Sequence, residues 1–97
     1  MLLREILLLA MLKNKILKER FTYESQKVVK ERNTFYRLMS SLDRDQYINK
    51  VTSSGNVRFY TLSDKGYLEA CLKTTDHDCP RIYQNIVSGF IHFTSEG

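Results

Sequence analysis

The chain has 97 residues, 42% of them hydrophobic and 27% charged, with four glycines and one proline. That is one domain's worth of sequence, and the composition excludes collagen-like, low-complexity and strongly disordered classes. A domain this small buries only about 60–65% of its unfolded surface, which leaves little volume for an enclosed catalytic pocket and makes dimerisation a natural way to add core.

The longest uninterrupted apolar run, Ile6 to Leu12, is seven residues, far short of the roughly 20 that span a bilayer. Lys13 and Lys15 follow it, and no small-residue cleavage signal does, so an intracellular chain without membrane contact is expected. The net charge is +4. Residues 1–26 hold five basic and three acidic residues, residues 27–66 eight and four, and residues 67–97 two and four. Positive charge is thus concentrated in the first two thirds, the distribution of a polyanion-facing module with an acidic tail.

The first predicted helix runs from Leu2 to Glu19 and consists of good helix formers apart from Asn14. Leu2, Ile6, Leu9, Ile16 and Leu17 fall on one face, and Leu7, Leu8 and Met11 on the other. A helix apolar nearly all round is covered on both sides, so Leu7, Leu8 and Met11 are expected at an interface with a second subunit. The competing arrangement is a packed monomer whose C-terminal helix covers that face.

Thr22 can cap a short second helix from about Tyr23 to Glu31. Arg32-Asn33-Thr34 reads as a turn, with Asn33 or Thr34 capping a third helix, Phe35 to Arg44. On that helix Phe35, Leu38, Met39 and Leu42 share one face. Asn33, Arg37, Ser40 and Arg44 share the opposite one, with Tyr36 and Ser41 beside it.

From Tyr47 the period changes. Tyr47 to Val51 and Val57 to Leu62 are rich in strand-favouring residues, and Thr52-Ser53-Ser54-Gly55-Asn56 between them is turn chemistry. Ser63 then caps a fourth helix with Asp64 in its first turn, ending near Lys73. Thr74 to Asp78 is a loop. Asp78 and Pro80 signal a final helix, whose apolar stripe includes Ile82, Ile86, Phe90 and Phe93.

This order of elements, and two segments in particular, resembles winged helix-turn-helix regulators of the MarR, PadR and ArsR-like families. Thr34-Phe35-Tyr36-Arg37-Leu38-Met39-Ser40-Ser41-Leu42 is similar to their recognition helix. Tyr60-Thr61-Leu62-Ser63-Asp64-Lys65-Gly66 is similar to the segment that closes their wing. The resemblance covers about residues 5 to 70. It implies a mainly α fold with a β-hairpin wing (α+β). Residues 1–73 would form the winged helix-turn-helix domain, and residues 74–97 a C-terminal loop and dimerisation helix within one structural domain. Two departures stand out: Gln46 occupies the position where these families usually have a glycine ending the recognition helix, and Ser40 and Ser41 replace common basic residues.

The resemblance implies sequence-specific binding of double-stranded DNA by a homodimer acting as a transcriptional regulator. Physical chemistry assigns the roles. An α-helix fits the major groove, where Arg37 can fork onto guanine, Asn33 can bond adenine, and Ser40 and Ser41 can bond several bases. Thr34 and Tyr36 complete the recognition-helix set; Tyr36 offers a phosphate bond or contact with a thymine methyl. Lys27, Lys30 and Arg44 suit phosphate contacts. On the wing, Lys50 and Arg58 are the cations, with Ser53, Ser54 and Asn56 as polar donors. Each has a plainer alternative: an Arg37–Asp43 salt bridge, a partly buried Tyr36, a solvated face for Lys27, Lys30 and Arg44, and a hairpin that touches nothing. At the level of function the alternative is a winged-helix protein-interaction module without base readout.

Cys71 and Cys79 admit three readings: unlinked thiols, a disulfide within or between chains, or a metal or redox site with His77 and one of Asp76, Asp78 or His92. The spacing lacks the paired pattern of a zinc framework, so no metal is expected. His77 between two aspartates reads as a solvated loop. No catalytic constellation, cofactor motif or small-molecule site is evident, and the chain does not read as an enzyme.

Overall fold

The hydrophobic pattern of the first residues produces α1, Leu3–Ile16. The computed structural model describes residues 1–53, 55 and 57–85. At the start of α1 the Glu5 carboxylate accepts a bond from the Leu2 N–H at 3.0 Å. The helix ends before Glu19 because the chain turns back on itself. Lys18 adopts a φ of 59°, its N–H bonds the Lys15 carbonyl, and the Glu19 N–H bonds the Asn14 carbonyl at 2.8 Å. That pair of bonds is a Schellman cap, which satisfies carbonyls the helix leaves open.

Leu7 to Leu12 are all buried. α1 packs on three later elements, so both of its apolar sides are covered within one chain. Leu7, Leu8 and Met11 therefore belong to the chain's own core, not to a surface left open for a second subunit, which corrects the expectation for these three residues.

The predicted second helix is absent. Residues 22–31 form a turn and an irregular segment, because side chains take the backbone groups a helix would use. The Thr22 and Ser25 hydroxyls accept from each other's N–H at 3.0 and 2.9 Å. Buried Gln26 accepts from the Val28 and Val29 N–H groups and donates to the Tyr23 and Val29 carbonyls, at 2.6 to 3.1 Å. The Tyr23 hydroxyl closes the loop on the Lys30 carbonyl. β-Branched Val28 and Val29 add no helical preference. Where a helix-turn-helix pair is expected, the structure has a pinned loop followed by one helix.

That helix is α2, Arg32–Arg44, and it begins three residues earlier than expected. The Phe35 N–H reaches the Glu31 carbonyl at 3.0 Å, so Arg32, Asn33 and Thr34 form its first turn and cap nothing. Phe35, Met39 and Leu42 are buried as the spacing predicts; each contributes about 1.5–3 kcal/mol by leaving water. α2 ends in a second Schellman cap, with Gln46 at φ 67° and the Tyr47 N–H on the Leu42 carbonyl at 2.9 Å. Gln46 therefore holds the left-handed conformation that glycine adopts freely.

β1, Ile48–Thr52, and β2, Arg58–Leu62, pair antiparallel with Lys50 opposite Tyr60 and Thr52 opposite Arg58. On the far side of β2 the Tyr60 N–H bonds the Phe21 carbonyl at 2.9 Å, an isolated bridge that ties the segment after α1 to the sheet. α3, Asp64–Lys73, starts at Ser63, whose hydroxyl accepts from the Gly66 N–H at 3.0 Å. Residues 81–85 are helical after Pro80. The architecture is α+β: helices plus a two-stranded hairpin compatible with a wing. No helix among the described residues is long and apolar enough to cross a membrane.

Candidate nucleic-acid interface

The apolar side of α2 is locked into the core, and this determines what the helix presents outward. Asn33, Arg37, Ser40 and Arg44 are all exposed. They lie three or four residues apart, so they form one stripe along the helix. Among the described residues neither Arg37 nor Arg44 forms an ion pair, and the Arg37–Asp43 bridge is not made. Both guanidiniums keep their full donor capacity.

The other α2 residues expected to contact DNA have structural duties. Tyr36 is half-buried. Its ring lies 5.3 Å from that of Phe35 and 6.1 Å from that of Tyr23. The Ser41 hydroxyl accepts a 2.6 Å bond from Arg4 on α1, and Thr34 donates to the Glu31 carboxylate at 2.9 Å. Lys27 and Lys30 are exposed, on the loop and not on a helix.

The hairpin carries its two cations, both exposed, on one face. Lys50 and Arg58 share the sheet face that carries buried Ile48 and Tyr60, since side chains alternate along a strand. The Tyr60 ring meets Phe35 of α2 at 5.9 Å. Tyr36 and Arg58 line one shallow cleft with Glu24 and Val57. Tyr36 therefore sits where α2 meets the hairpin. Ser53 holds the hairpin turn through its N–H on the Val57 carbonyl at 3.0 Å. Ser54 and Asn56 lie outside the described residues.

Arg32 joins these residues at the start of α2, its guanidinium 5.0 Å over the Tyr23 ring and 4.0 Å from the Glu24 carboxylate. Its sequence signal is a basic residue one position before Asn33, which belongs to the helix and not to a turn.

The cysteines are separate thiols. Cys71 is half-buried beside the Tyr67 hydroxyl, and Cys79 is buried with its Sγ on the Pro80 carbonyl at 3.6 Å. Burial raises both thiol pKa values, which favours the protonated thiol over the thiolate. The metal-capable group that the described residues assemble is Asp76, His77 and Asp78, with ligand atoms within 4.8 Å of one another. Neither cysteine is part of it, and His77 is almost fully exposed. His92 lies outside the described residues. Of the remaining residues expected at a dimer interface, Ile82 is 56% exposed, and Ile86, Phe90 and Phe93 lie outside the described residues.

Comparison with known proteins finds no matching family, no matching characterised sequence and no matching solved structure.

Proposed function

We propose that this chain binds double-stranded DNA sequence-specifically, with α2 in the major groove and the hairpin against the adjacent backbone or minor groove. The observation that carries this reading is the stripe of Asn33, Arg37, Ser40 and Arg44, exposed and without an ion pair among the described residues, on a helix whose other side is fixed in the core, with Lys50 and Arg58 exposed on the neighbouring hairpin. A helix fits the major groove, and Arg and Asn match the donor and acceptor patterns of guanine and adenine there. Lys27, Lys30, Lys50 and Arg58 supply phosphate contacts. Ser41 and Thr34 contribute less, because their hydroxyls are already bonded.

The role that follows is transcriptional regulation, and a homodimer would add the modest binding free energies of two half-sites, which multiplies the affinity. With Leu7, Leu8 and Met11 in the core, the dimer face would combine Ile82 with Leu68 and Leu72, which are 61% and 57% exposed.

The test is selection from a random duplex pool near physiological salt. Enrichment of a palindrome with half-sites one helical turn apart, or a multiple of it, is the expected result. Enrichment of a single half-site keeps base reading and removes the dimer. Retention without enrichment removes base reading. No retention at any salt rejects DNA binding and favours a protein-interaction module.

A further inference from the structure

A cleft of about 200 Å³ opens between the end of α1 and the outer edge of β2. Met11, Phe21, Phe59 and Leu62 give it an apolar lining, and Lys15, Lys18 and Arg20 stand at its rim. We propose that it binds a small carboxylate with an apolar body, independently of any role of α2.

Two features point to an anion. First, the rim is positive: Lys15, Lys18 and Arg20 outnumber the one acid, Glu19, and among the described residues none of the three is in an ion pair. Arg20 lies 4.7 Å over the Phe59 ring and Lys15 5.6 Å from the Tyr67 ring. Ring faces hold these cations in place without neutralising them.

Second, the strand edge offers a donor. The Ser63 N–H bonds the Tyr47 carbonyl, so odd-numbered residues of this strand face β1, while the Tyr60 N–H points the other way, to Phe21. By the same alternation the Leu62 N–H points into the cleft. Glu19, opposite it in the register of the Phe21–Tyr60 bridge, uses its own N–H on the Asn14 carbonyl, and among the described residues the Leu62 N–H makes no backbone bond outside the hairpin.

The Lys13, Asn14 and Lys15 carbonyls at the end of α1 accept from the Leu17, Glu19 and Lys18 N–H groups, so they need no partner from a ligand. A carboxylate at the mouth would take the Leu62 N–H and the rim cations, and its apolar body would lie on Met11, Phe21 and Phe59. The volume limits the guest to a small molecule.

Octanoate is a suitable probe, with 1-octanol as the uncharged control, followed by backbone and side-chain NMR shifts on the whole chain. The expected result is saturable shifts at the Leu62 amide and Phe59 ring with octanoate. 1-Octanol should bind at least roughly tenfold more weakly, and Arg20→Glu should weaken octanoate by a similar factor. Lys18→Glu repeats the charge test at a second exposed position, and dispersed spectra of both variants show that they fold. Equal binding of octanol, no saturable shift at Leu62, or unchanged octanoate affinity in both variants would overturn the proposal.

Discussion

Arg4 and Asp45 meet at 2.7 Å, joining the first turn of α1 to the residue that ends α2. The same guanidinium donates to Ser41 at 2.6 Å, so one side chain holds two points of the last turn of α2. Lys65 of α3 adds a bond to the Asp45 carbonyl at 2.7 Å and lies 4.6 Å from the Tyr47 ring. The end of the helix that carries Arg37 and Arg44 is thereby fixed from two other elements.

Acid should loosen this frame. The Arg4 bond lowers the Asp45 pKa, and the Lys73 bond, at 2.8 Å, lowers that of Glu5. A carboxylate whose folded pKa is depressed adds stability that is present above its unfolded pKa and lost as pH falls through the folded one. The melting temperature should therefore fall from about pH 5 downward. The Glu5→Gln/Asp45→Asn double variant should show a shallower acid limb in thermal unfolding followed by circular dichroism.

Arg37→Ala should weaken the selected duplex by about 1–3 kcal/mol and relax preference at one base position. Lys50→Ala should weaken cognate and random duplexes alike and reduce the salt slope by about one. Fluorescence anisotropy across a salt series separates the two. Equal losses on both duplexes for Arg37→Ala would refute its base-reading role.

Gly66→Ala should be severely destabilising. A Cβ at Gly66 would lie 1.8 Å from the Tyr47 carbonyl oxygen, which accepts the Ser63 N–H at 3.0 Å. Backbone must move, so a cost of about 3 kcal/mol or more is expected in urea unfolding. A smaller cost would mean that α3 can slide away from β1 without loss.

Lys18→Gly and Gln46→Gly should each stabilise. Both residues hold left-handed backbone, with φ of 59° and 67°, at a cost of roughly 1 kcal/mol that glycine avoids. Part of the gain is offset by the greater entropy of glycine in the unfolded chain. Chemical denaturation should place each variant above the parent, and a loss at either site would show that the side chain contributes more than the strain removes.

Gln26→Met should cost about 2–4 kcal/mol despite its similar volume. It removes four hydrogen bonds, to Tyr23, Val28 and Val29, and leaves buried Val29 N–H and carbonyl groups unsatisfied. Hydrogen exchange should show the loop opening before the core. A variant as stable as the parent would mean that the loop is held by Thr22, Ser25 and Tyr23 alone.

By itself the sequence determined what depends on neighbours a few residues away. Spacing placed Phe35, Leu38, Met39 and Leu42 on one side of α2 and Asn33, Arg37, Ser40 and Arg44 on the other. Strand-forming residues around Gly55 set the hairpin, and Ser63 marked the start of α3. These signals are local, because helix and strand periods repeat over single turns and alternate residues.

Tertiary structure decided the rest. Whether Leu7, Leu8 and Met11 face a second copy or their own core depends on where α2, β2 and α3 return, and periodicity does not encode that. The helix expected over residues 23–31 lost to Gln26, whose amide satisfies the backbone more fully in its buried site than local propensity suggested. Arg4 finds Ser41 and Asp45 across 37 and 41 positions. The carboxylate cleft joins the end of α1 to β2. Contacts of that separation leave no mark in composition or spacing; they exist only once the hydrophobic faces have chosen their partners.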